Sequence, residues 1–194
     1  MTNYYSIQVD TIGSDVANLP ADLLAVMGYV TGTDGVAWTE ADWNRFPYAG
    51  KVTVDQSESL DVFAAGHANV ADIENGAGTI ATFLDAARER EKLKIESYAY
   101  IQYDNLATLM NRVVKSKISN IRYFVANWNL SASEAVSMLN RTNWVGIQFA
   151  SPTSNPNTRL PGSALTLHQA NADLSVKIAS WFGSDALQAT GWSE

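Results

Sequence analysis

The chain has 194 residues, of which 46% are apolar and 17% charged, and its formal net charge is -7. That length supports one domain with a substantial core, and an acidic balance with no run of Lys and Arg excludes an ordinary nucleic-acid binder. The absence of cysteine excludes disulfides, thiolate metal sites and cysteine nucleophiles.

Residues 1–23 read as an N-terminal extension, and residues 24–194 as a single barrel domain. Within the extension Tyr5, Ile7 and Val9 alternate with polar residues, a pattern that fits an extra strand or an arm for a partner. No basic segment followed by an apolar run stands at the amino terminus, so no signal peptide is predicted. Cytoplasmic synthesis is expected, with release by lysis or association with a virion as the way to an outside target. The apolar run Leu23 to Val30 is too short to span a bilayer, so no membrane insertion is expected.

Leu24 to Val30 predicts the first core strand, closed by the turn residues Thr31 to Gly35. Thr39 then caps a helix with Glu40 and Asp42 in its first turn. Lys51 to Asp55 predicts a second strand and Ala68 to Glu74 a third. Thr79 to Glu91 has Ile80, Phe83, Leu84 and Ala87 on one helical face. Ile95 to Ile101 is a fourth strand, and Leu106 to Val114 a helix. Ile121 to Ala126 is a fifth strand, Ser131 or Ser133 caps another helix, and Trp144 to Phe149 is a sixth strand. A Pro-, Asn- and Thr-rich loop runs from Ser151 to Pro161, and Ala164 to His168 suggests a short seventh strand. Val176, Ile178, Trp181 and Phe182 are expected to pack on the outside.

Strand–helix units with near-continuous apolar strands imply a parallel sheet covered on both faces. Six or seven such strands in one domain favour an α/β fold of TIM-like (β/α) barrel type, irregular or incomplete, over an open sheet. No glycine-rich phosphate loop follows the first strand.

Strand ends then nominate a site. Residues i and i+2 of a strand share a face, so Asp72 and Glu74 project together from the carboxyl end where barrels place their chemistry. Two neighbouring carboxyls are what a glycosidase needs, one to donate a proton and one to stay ionised. The other strand ends add Asp55, Tyr100, Gln102, Tyr103, Asn127, Trp128, Gln148 and Phe149. Carboxylates, amides and flat rings around one cleft suit a sugar. His67 and His168 are isolated and read as structural. No dense Asp/Asn ladder accompanies the acids, so no metal or cofactor is predicted.

The order of these motifs resembles the family 25 glycoside hydrolase lysozymes and, more closely, small actinobacterial and phage proteins with a related glycoside-hydrolase-like barrel. The matching segments are Asp72-Ile73-Glu74, Tyr98-Ala99-Tyr100-Ile101-Gln102-Tyr103, Phe124-Val125-Ala126-Asn127-Trp128, Ile147-Gln148-Phe149 and Ala172-Asp173-Leu174-Ser175-Val176. The resemblance covers about residues 24 to 182. It implies cleavage of the β-1,4 bond of peptidoglycan, with Glu74 as general acid, Asp72 orienting the substrate or stabilising positive charge, and Asp173 supporting at the mouth. Three positions depart from the pattern. Gly28-Tyr29-Val30 lacks the first-strand aspartate unless Asp55 substitutes for it, Asn127 replaces an aspartate, and Ile147 replaces a tryptophan. These departures keep a second function open: a catalytically inactive barrel that binds glycan or assembles into a phage or other particle.

Overall fold

The computed structural model describes residues 5–33, 35–74, 76–140, 142 and 144–178. Strands that are apolar on both faces must be covered on both faces, and a closed barrel wrapped by helices does this. Eight described strands close such a barrel in chain order: β1 (Tyr5–Asp10), β2 (Ala25–Tyr29), β3 (Gly50–Asp55), β4 (Val70–Asp72), β5 (Ser97–Gln102), β6 (Ile121–Ala126), β7 (Trp144–Ala150) and β8 (Asp173–Ile178). β1 to β7 run parallel; β8 runs antiparallel to both its neighbours, β7 and β1. The fold is therefore an irregular TIM-like α/β barrel.

The helices are α1 (Glu40–Asn44), α2 (Asp61–Ala64), α3 (Ile80–Lys92), α4 (Tyr103–Ser116), α5 (Ala132–Leu139) and α6 (Leu167–Ala170). Thr39, Thr79 and Ser131 cap α1, α3 and α5, each in a reciprocal capping box that satisfies orphan N–H groups. Strand parity sorts the core into two layers. Met27, Val52, Val54, Val70, Tyr98, Tyr100 and Phe124 pack together inside the barrel. Val26, Ala71, Ala99, Ile101, Val125 and Ile147 face outward and meet Phe83, Leu84, Leu109 and Leu139 of the helices.

Arg90 anchors α3 to the barrel floor. Its guanidinium donates to the carbonyls of Phe63, Ala68 and Glu96 at 2.7–3.1 Å and lies 4.2 Å over the Phe63 ring. Inside the barrel Gly146 lets the Phe124 ring approach. A Cβ there would stand 2.4 Å from that ring.

Three expectations need correction. Residues 5–10, expected as an extra strand or a partner arm within an extension, form the strand β1 in the barrel wall, so the barrel starts at Tyr5 rather than at residue 24 and has eight described strands rather than six or seven. Ala164 to His168 is not a strand: Thr166 makes one isolated bridge with Arg159 and caps α6. Val176 and Ile178 belong to β8, while Trp181 and Phe182 lie outside the described residues.

Candidate active site

The parallel strands deliver their carboxyl ends to one mouth, and β8, running the other way, delivers its first residue there. Asp10 of β1 and Asp173 of β8 are register partners across that seam. Asp72 closes β4, and Glu74 follows two residues later with Ile73 between them facing the outer core. The charge of Glu74 bears on the Asp72 carboxyl. Four acidic side chains meet at the mouth, and the one that ends the first strand is Asp10.

Gln148 holds this group together. Its Oε1 accepts from the Tyr100 hydroxyl at 2.6 Å and from the Trp128 indole N–H at 3.1 Å. Its Nε2 donates to Asp10 Oδ2 at 2.9 Å and to Asp173 Oδ2 at 3.3 Å. An indole can only donate, so the amide has one workable orientation, with its N–H groups on the carboxylates. Gln56 donates to Asp72 Oδ2 at 3.3 Å. One oxygen each of Asp10, Asp72, Glu74 and Asp173 is buried with no hydrogen-bond partner among the described residues.

Four acids in a poorly solvated mouth cannot all ionise readily. Burial, then the charge of Glu74, raises Asp72 to about 7. Burial and Glu74 likewise raise Asp173 to about 7. Asp10 is pushed well above the carboxylate range by burial and then by Asp173. Burial also raises Glu74, against a hydrogen bond from Gln102. Tyr29 and Tyr100 have their phenols raised by burial and by these acids, so both stay neutral donors.

The raised values fix a sign. Between about pH 4 and about pH 7 the folded chain keeps protons on Asp72 and Asp173 that the unfolded chain releases. Their contribution to stability is therefore lost as pH rises through that window, the reverse of an ion-paired aspartate. Thermal melts of the wild type and of the Asp72→Asn/Asp173→Asn double variant, from about pH 4 to about pH 8, should give a falling wild-type curve and a flatter double-variant one. Equal slopes would refute the assignment.

Over the seam lies an open hollow of about 530 Å3, lined by Asp10, Asp173, Tyr29 and Trp128 among others and edged by the loop residues Ser151 to Ser154. Asp72 and Glu74 are not part of its lining. They act on it through charge, since Glu74 shifts both Asp173 and Asp10.

The Gln148 network thus brings Tyr100, Trp128, Gln148 and Asp173 together at the mouth, and three other candidates lie apart from it. Asp55 has outward parity, opposite to that of Val54. It accepts from Thr31 Oγ1, Ser57 N, Ser57 Oγ and Phe63 N at 2.6–2.9 Å, tying the β3 loop to α2. Tyr103 is 46% exposed and sets its ring edge-on to Trp144. Asn127 points outward and accepts from the Asn129 N–H at 3.3 Å in a local turn. Ile147 also faces the outer core, so neither of those two departures touches the mouth.

Sequence reasoning missed Asp10 and Tyr29. The signal for Asp10 was the alternation Tyr5, Ile7, Val9, which ends in an acid. Among the described residues no cluster of His, Cys, Asp or Glu is arranged to hold a metal ion, and no helix is long and apolar enough to cross a membrane. Comparison with protein-family models, with curated proteins and with solved structures finds no match.

Proposed function

We propose that the mouth is the active site of a lysozyme-like glycoside hydrolase acting on a β-1,4 glycan of peptidoglycan type. The supporting observation is the convergence of Asp72 and Glu74 with Asp10 and Asp173, all with raised proton affinity, beside a hollow large enough for a sugar. Such a mouth keeps protons at neutral pH, which is what general-acid catalysis consumes.

In this mechanism Glu74, half-buried and beyond the end of its strand, takes up one of the protons that the acid cluster retains and gives it to the glycosidic oxygen as the C–O bond breaks. The positive charge that develops on the sugar ring is stabilised by the remaining acidic groups. Water then adds to the anomeric carbon, leaves its hydroxyl there and returns a proton to Glu74. Gln148 holds Asp10 and Asp173 in place, Tyr29 supplies a neutral hydroxyl, and the Trp128 ring offers a face for the sugar.

A second reading is a barrel that binds glycan without cutting it, whether at a cell surface or within a particle. It is favoured by the hollow's lining, which contains Asp10 and Asp173 but neither Asp72 nor Glu74. Incubation with purified peptidoglycan separates the two. New reducing ends are expected from the hydrolase, while glycan pull-down without any reducing ends would favour the binding protein.

A further inference from the structure

A second hollow of about 580 Å3 lies just outside the barrel wall at the carboxyl end of β7. Gln148 turns into the mouth and its neighbour Phe149 turns the other way, onto this hollow. Phe149, Leu130 and Leu160 give it apolar walls, while Asn155, Asn157 and Arg159 supply polar groups. One loop serves both hollows: Ser151 to Ser154 edge the mouth, and Asn155 to Gly162 edge the second hollow.

The backbone carrying Arg159 is held on both sides. Leu160 N donates to Leu165 O at 2.9 Å, Leu167 N donates to Thr158 O at 2.8 Å, and Arg159 bridges Thr166. Arg159 is exposed, and the ion pairs among the described residues are Arg88–Asp85, Lys92–Glu89 and Arg122–Glu96, none of which involves it. The amino end of α5 also borders the hollow, but its own capping box closes it. Arg159 is therefore the one charged group of the lining.

We propose that this hollow is a subsite for a carboxylate-bearing arm of the substrate, a short peptide or acyl substituent on the sugar that occupies the mouth. This rests on the glycan reading above. The hollow over the mouth offers no cation to an anionic substituent, and the shared loop leads to one with no ion-pair partner among the described residues. An apolar wall takes the carbon body of the arm, and the planar guanidinium fork takes a carboxylate through two parallel hydrogen bonds. A single arginine with no second cation matches one carboxylate better than a phosphate dianion.

The test titrates the 15N-labelled full chain with N-acetylmuramoyl-L-alanyl-D-isoglutamine, and with chitotriose as a carboxylate-free control. Dipeptide binding is expected to shift the Arg159 Nε–H signal and the Asn157 and Gly162 amides. Arg159→Gln should weaken it by about 10- to 100-fold, with part of the loss restored by Arg159→Lys. Chitotriose affinity should be the same in wild type and Arg159→Gln. The subsite is overturned if the dipeptide does not bind, if Arg159→Gln binds it as well as wild type, or if the shifts gather at Asp10 and Asp173 and spare Arg159. Arg159-dependent binding without any glycan cleavage would keep the subsite and reject the hydrolase, so the two failures are distinct.

Discussion

Glu74→Gln is expected to lower glycan cleavage by about 10²- to 10⁴-fold, the usual contribution of a positioned general acid, with the fold intact. The amide matches the carboxyl in shape and cannot give up its proton. The Glu74 side chain takes a hydrogen bond from Gln102, which an amide can still accept, and its buried Oε1 has no partner among the described residues. Its charge raises Asp72, Asp173 and Asp10. The variant should therefore melt no lower than wild type at neutral pH, and its Asp72 and Asp173 should titrate lower than about 7. Reducing-end release, thermal melts and carboxyl NMR titration read these three effects separately. Cleavage at the wild-type rate would remove Glu74 from the chemistry.

Asp55→Ala should do the opposite, harming stability rather than chemistry. The Asp55 side chain is fully buried and receives hydrogen bonds from four donor groups, two of them backbone N–H. Truncation strands those donors away from water, at a cost of about 3 kcal/mol or more. For a chain of this length that lowers the melting temperature by roughly 6–12 °C. Asp55→Asn keeps an acceptor oxygen for Phe63 N and should lose less. Cleavage by the folded fraction of either variant should match wild type. A folded Asp55→Asn with no activity would return Asp55 to the catalytic group.

The contrast between Asp55 and Glu74 marks what could be read from residue order. Strands that are apolar on both faces but for one residue, such as Ile121–Ala126 with Arg122 and Trp144–Ala150 with Gln148, show as near-continuous apolar runs and are plain in the sequence. β1 and β8 are not, because their inward faces are polar: Ser6, Gln8 and Asp10 face Lys177, Ser175 and Asp173 rung by rung. Their alternation has the signature of a strand with one side in water, although here the polar side looks into the barrel. That seam left the first strand as one of two options and concealed Asp10.

Within the strands that were found, parity decides membership of the site. Asp72 and Glu74 share the inward side with Tyr100, Trp128 and Gln148. Asp55 and Asn127 are each one position out of phase, because a strand reverses its side chains at every residue, and Tyr103 already belongs to α4. Strand ends alone do not reveal this phase; the inward-packed Val54, Tyr100 and Phe124 do.

The antiparallel seam has a consequence for how the molecule can be tethered. Tyr5 and Ile178 are rung partners, so the polypeptide enters and exits the wall side by side at the base, remote from the carboxyl cluster. A linkage made directly at Tyr5 or Ile178 would leave the acidic mouth facing away from its anchor. A short linker joining Ile178 directly to Tyr5 would also permit circular permutation, with new ends cut into a peripheral turn.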